Sequence, residues 1–123
     1  MSFNADLQPK PGDPVPPLIN GFRPDVISRS NLENSIVIAE AKTDRDLDNK
    51  HTENQIASFI NYLEKKGNGC LVLSVTGCGA DRAKTFLRFM HQSEKVRITN
   101  LTVFDGCDFW QLESFGGIAW HLG

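Results

Sequence analysis

The chain has 123 residues and a formal charge of −2, with 40% hydrophobic and 23% charged residues. That balance fits one domain able to bury a core, and it excludes disorder beyond the ends. The mildly acidic charge argues against a general nucleic-acid coat protein while leaving room for a local basic patch.

Cys70, Cys78 and Cys107 are odd in number and make no CxxC pairing. With no signal peptide ahead of them, reduced thiols and a cytoplasmic location are the expectation. No apolar run approaches the roughly 18 residues a membrane helix needs, so no membrane partner is expected.

Residues 1–20 carry five of the six prolines, centred on "PKPGDPVPP". Proline fixes its own φ and lacks a donor, so this stretch reads as an extended arm ahead of a single domain spanning 21–123. "RPDVISRS" suggests a short strand and "NLENS" a turn. "SIVIAEAKT" (35–43) is β-branched and continuous, the pattern of a central strand covered by helices on both faces. "DRDLDNKH" reads as a polar loop, and a helix follows from Thr52 to about Lys66, stopped by Gly67 and Gly69. Ile56, Phe59, Ile60 and Leu63 form its apolar stripe. Thr52-Glu53-Asn54-Gln55 fits a capping box, with Gln55 at the third helical position.

"CLVLSV" (70–75) is a second buried strand, "TGCG" a turn, and "ADRAKTFLRFMHQ" a second helix with Ala83, Phe86, Leu87 and Met90 inward. "VRITNLTVF" is a further strand; Asp105-Gly106 is a turn signal, with "DFWQLE" as its hairpin partner. Trp110, Phe115 and Trp120 read as core or as a subunit interface. The order β-β-α-β-α-β-(β) predicts an α/β fold, a mixed central β-sheet flanked by helices.

Within that frame Glu40 and Lys42 are out of character. Side chains alternate along a strand, so both project from one face, where charge is costly unless partnered, solvated or bound. Asp25, at the head of the preceding strand, can converge with them. Two neighbouring carboxylates repel, and a hard divalent cation resolves the repulsion; Mg²⁺ uses one or two carboxylates and keeps several waters. A lysine beside it can orient a water and offset negative charge developing on a phosphate. The plainer alternative is a turn aspartate beside a strand-end salt bridge.

"PD" at 24–25, "EAK" at 40–42, and Gln55 on the following helix resemble the PD-(D/E)xK nuclease superfamily, as does the element order over about 21–105. The resemblance implies a restriction-endonuclease-like core, here without the usual N-terminal helix, hydrolysing phosphodiester bonds to leave a 5′-phosphate. Nucleic acid, with DNA foremost, is the implied substrate. Asp25 and Glu40, with the Ala41 carbonyl, would hold Mg²⁺, for which Mn²⁺ would substitute. Lys42 would activate water and Gln55 would position water or phosphate. "GFRPD" and Gln55 are most similar to the RecB-like branch, whose QxxxY motif has Phe59 in place of its tyrosine in this chain, with Tyr62 a candidate substitute.

The missing helix implies either a partner chain or domain that supplies it or an uncovered sheet that pairs in a homodimer. His51, Arg82, Lys84 and Arg88 are candidate nucleic-acid contacts, against the reading of charges on a solvated face. The rival to an enzyme is a catalytically weak or inactive nuclease-fold module that binds nucleic acid or protein. Two other motifs fail. "DRDLDNKHTENQ" lacks the Gly and Glu of an EF-hand, and "TGCGADR" lacks the third glycine of a dinucleotide loop.

Overall fold

The computed structural model describes residues 2–5, 16–30, 32–112 and 120–122. Among the described residues, seven strands lie in sequential order in one mixed sheet. They are β1 (Ser2–Ala5), β2 (Val26–Ser30), β3 (Ser35–Ala41), β4 (Gly69–Ser74), β5 (Asn100–Phe104), β6 (Phe109–Leu112) and β7 (Trp120–Leu122). Helix α1 (Lys50–Lys66) connects β3 to β4, and α2 (Ala80–Ser93) connects β4 to β5. β3, β4 and β5 run parallel, while β1, β2 and β3, and likewise β5, β6 and β7, pair antiparallel. The molecule is an α/β domain with a mixed sheet flanked by helices.

Both crossovers step from one parallel strand to its neighbour in the same direction. Right-handed connections of that kind place both helices on one face. Burial alternates accordingly: Leu71 and Leu73 of β4 are inaccessible, whereas Cys70, Val72 and Ser74 are half-buried. Ile38, Leu101 and Val103 join Leu71 and Leu73 beneath Ile56, Phe59, Ile60 and Leu63 of α1 and Ala83, Leu87 and Met90 of α2. The apolar runs therefore do not mark strands covered by helices on two sides; among the described residues no helix packs on the second face.

The N-terminal segment is not simply an arm. Ser2–Ala5 adds β1 to the sheet edge against β2. Ile19 lies in the core, and Ile19 and Phe22 exchange backbone hydrogen bonds of 2.7 and 3.0 Å. Asn20 and Gly21 between them have φ of 51° and 86°, the doubly left-handed turn that an Asn-Gly pair favours. The domain therefore includes residues on the N-terminal side of position 21. At the other end, Trp110 and Trp120 pack against the core, while Phe115 lies outside the described residues.

Helix α1 begins earlier than its capping-box reading implies. Asn49 is the cap, its side chain accepting from the Thr52 N–H at 2.8 Å, and Gln55 sits buried in the second turn. Gly67, at φ 89°, closes the helix through an N–H to the Leu63 carbonyl. A Cβ on Gly69 would lie 2.7 Å from the Leu63 side chain, so glycine lets β4 start directly beneath the helix.

Two carboxylates organise the loops. Asp105 accepts from the Cys107 and Asp108 N–H groups and from Trp110 Nε1, and these bonds, that from Asp108 foremost, lower its pKa to about 2. Glu64 of α1 accepts the N–H groups of Arg97, Ile98 and Thr99 at 2.7, 3.1 and 2.7 Å, and the Thr99 hydroxyl at 2.5 Å. It thereby fixes the approach to β5, which starts at Asn100 rather than at the head of "VRITN". Partial burial raises the Glu64 pKa, but the hydrogen bonds outweigh it and leave the carboxyl below its ordinary value.

A depressed carboxylate pKa contributes stability that is complete above the unfolded value, about 4.3, and is lost as pH falls through the folded value. Glu64→Gln should therefore lower stability at pH 7 by roughly 1–3 kcal/mol. The gap to wild type should narrow in acid, as followed by urea denaturation between pH 7 and pH 3. A gap that stays constant over that range would show that the charge on Glu64 contributes nothing.

Candidate active site

Asp25 precedes β2. Val26 pairs with Ala39, so continuing the register by one residue sets Asp25 opposite Glu40 at the end of β3. The two are joined reciprocally. The Asp25 N–H donates to Glu40 Oε1 at 2.6 Å, and the Ala41 N–H donates to Asp25 Oδ2 at 2.9 Å. Each carboxylate thus spends an oxygen on the other strand's backbone. Lys42 continues the parallel ladder by donating its N–H to the Ser74 carbonyl at 2.9 Å, which keeps its side chain on the Glu40 side. Its Nζ lies 3.8 Å from Glu40 Oε2, with the side chains 13% and 2% exposed.

The segment leading to Asp25 is held as firmly. The Asn20-Gly21 turn anchors it to the core through Ile19, Arg23 Nε donates to the Pro16 carbonyl at 3.0 Å, and Pro24 is buried. Phe22 meets His51 in an edge-on contact, ring centroids 5.6 Å apart, which brings the first turn of α1 against the same hairpin. His51 itself is exposed. Beyond Lys42, a 3-10 turn over Asp44–Asp48 leads into α1. Asp46 accepts from both the N–H and the hydroxyl of Thr43, at 3.1 and 2.9 Å, and these bonds hold its pKa below the usual carboxylate value.

α1 returns antiparallel to β3 and β4, so Gln55 comes to the end of the sheet where Glu40 and Lys42 lie. Its side chain is 8% exposed, and its buried Oε1 has no hydrogen-bond partner among the described residues. Since Asn49 caps the helix, capping does not account for Gln55. An unpaired buried acceptor costs roughly 1–3 kcal/mol.

The cations predicted on α2 do not form one face. Arg82 turns to the 3-10 segment and pairs with Asp44 and Asp48. Lys84 places its Nζ 3.8 Å from the centre of the Trp110 ring. Arg88, one turn further, is half-buried, and its buried Nε has no partner among the described residues. Arg82 thus ties the turn after Lys42 to α2, and the three have separate roles on the helix.

Asp25, Glu40 and the Ala41 carbonyl would together offer an all-oxygen donor set. No group of three or more His, Cys, Asp or Glu side chains suited to a metal gathers among the described residues. Two carboxylates suit a hard cation that keeps most of its water, the habit of Mg²⁺, better than one requiring a full protein cage. Comparisons of the chain with protein-family models, curated proteins and solved structures return no match.

Gln55→Met keeps the length of the side chain and removes the orphaned acceptor. The variant should be more stable by on the order of 1 kcal/mol, raising Tm by roughly 4 °C in a domain of this size. Scanning calorimetry checks this; a fall in Tm would mean that Gln55 supports the fold.

Proposed function

We propose that this protein is a Mg²⁺-dependent nuclease of the PD-(D/E)xK type, hydrolysing phosphodiester bonds in nucleic acid, with DNA the expected substrate. The observation that carries the reading is the interlocked Asp25–Glu40 pair with Lys42 Nζ 3.8 Å from Glu40. A strand-end salt bridge needs only Glu40 and Lys42. The third charged group, Asp25, is fixed to the same spot by two backbone hydrogen bonds, which sets a second carboxylate where a cation would use it.

Asp25, Glu40 and the Ala41 carbonyl would hold Mg²⁺, which would supply Lewis-acid polarisation of the scissile phosphate. Lys42 is mostly enclosed and donor-only, so it orients the attacking water by hydrogen bonding to its oxygen and offsets charge gathering on the phosphate. Gln55 Oε1, lacking a partner, accepts a proton-bearing group, and a water aligned for attack is the simplest candidate. The water oxygen bonds to phosphorus as the bond from phosphorus to the 3′ oxygen breaks; the attacking water loses one proton to surrounding solvent, and the departing 3′ oxygen takes one up from it. The 3′ oxygen leaves as a hydroxyl, and the phosphate remains on the 5′ side.

Asp25 and Glu40 meet at an end of the sheet where Ala41 and His51 are exposed, so a strand can reach the site from outside. The buried Glu40 and the open Asp25 edge divide the work: one side holds charge in a low-dielectric wall, and the other admits substrate.

Lys42→Ala should reduce Mg²⁺-dependent cleavage by at least about 100-fold while affinity for the same DNA, measured in EDTA, changes by less than a factor of about three. Supercoiled plasmid and end-labelled single and double strands serve as substrates. Tight binding by the wild type, with no hydrolysis of any substrate in Mg²⁺ or Mn²⁺, would replace the enzyme with a binding module of the same fold.

A further inference from the structure

Cations that are already paired say little about ligands. Lys42, Arg82 and Lys84 face Glu40, two aspartates and an indole ring respectively. A second set differs. Arg29 of β2, Lys65 and Lys66 in the last turn of α1, and Arg97 before β5 line two adjoining cavities of about 460 and 730 Å³, which share Asn20 and Lys65 as a common wall. No carboxylate lines the first cavity, and Glu64 alone lines the second. Glu64 is committed to backbone N–H groups and the Thr99 hydroxyl. None of the four cations pairs with a carboxylate among the described residues.

Tyr62 holds two of them together. Its hydroxyl accepts from Arg29 at 3.4 Å, and Lys66 Nζ lies 5.4 Å from the centre of its ring. Gathering four cations against the single carboxylate of Glu64, in a chain whose net charge is −2, costs free energy that an anion would return. The helix dipole of α1 offsets some of the repulsion around Lys65 and Lys66, but not that at Arg29 or Arg97. Two cavities with a shared wall suit an extended polyanion better than a single phosphate.

The groove is aligned with the candidate active site along two independent elements. Gln55 and Tyr62 are seven residues apart on α1, about 10 Å along the axis. Asp25 and Arg29 are four residues apart at and along β2 and share a face, about 13 Å. At about 3.4 Å of rise along a duplex axis per nucleotide of each strand, both give three to four nucleotides. We propose that this groove seats the sugar-phosphate backbone of a nucleic-acid strand three to four nucleotides from the bond at Asp25, Glu40 and Lys42. The distance to the scissile bond rests on the nuclease reading; the binding of the strand does not.

The test is fluorescence anisotropy with labelled single-stranded and duplex DNA 20-mers in EDTA, over a series of salt concentrations. The full chain is compared with Lys65→Ala/Lys66→Ala and Arg97→Ala, surface truncations that leave the core intact. Each lost phosphate contact should weaken binding on every sequence. It should also flatten the slope of log K against log salt by about 0.9 on duplex or about 0.7 on single strands. Arg82→Ala, whose cation is already paired, should leave the slope unchanged. Unaltered affinity and slope in both groove variants would overturn the proposal. Plasmid cleavage in Mg²⁺, run in parallel, separates the two readings. Flattened slopes without cleavage uphold the groove and remove the nuclease, whereas cleavage with unaltered slopes does the reverse.

Discussion

The reciprocal hydrogen bonding of Asp25 and Glu40 is the constraint on which the site depends. Two carboxylates on opposed strand positions, where Cβ atoms lie about 5 Å apart, repel each other when both are charged. The fold accepts that repulsion by giving each anion a backbone N–H from the other strand, 2.6 and 2.9 Å long. Hydrogen bonds to charged acceptors contribute about 1.5–3 kcal/mol each, enough to hold the pair but not to neutralise it. Lys42 balances one charge at 3.8 Å.

Around this pair the molecule separates its charge. Beyond Lys42, Asp44, Asp46 and Asp48 are tied down by Arg82 and Thr43, so the acidic turn is closed upon itself. Arg29, Lys65, Lys66 and Arg97 collect at the far end of α1 without such closure. Helix α1 links the two regions, with Gln55 buried near one end and Tyr62 near the other. Glu64 fastens the loop that carries Arg97, so the same helix that reaches the site also sets the cationic wall.

Legibility in the sequence followed the range of the interactions. Local periodicity located β3, α1, β4 and α2, because each depends on its own apolar positions. The hairpin at Asp105-Gly106 was readable because a turn signal sits between its strands. Ser2–Ala5 carries no such signal and becomes a strand only by pairing with residues more than twenty positions away. The Asn20-Gly21 turn did have a signal, masked by the prolines before it. Glu40 and Lys42 were legible as misplaced charge on an apolar strand, and Asp25 as a carboxylate at the head of the strand before it. What no pattern conveys is the pair of backbone hydrogen bonds joining two of them, the unpartnered Gln55 oxygen, or the turn of Arg82 away from Lys84, since each depends on the tertiary placement of a single side chain.

The proposed cation site is the pair of interlocked carboxylates rather than the nearby acidic turn. Titrating Mn²⁺ into isotopically labelled protein while following its backbone amide resonances tests it directly, because a paramagnetic ion broadens signals according to distance. Asp25 and Ala41 should broaden at the lowest Mn²⁺ concentrations, and excess Mg²⁺ should restore them. Broadening that begins at Asp44, Asp46 and Asp48 and spares Asp25 and Ala41 would contradict it.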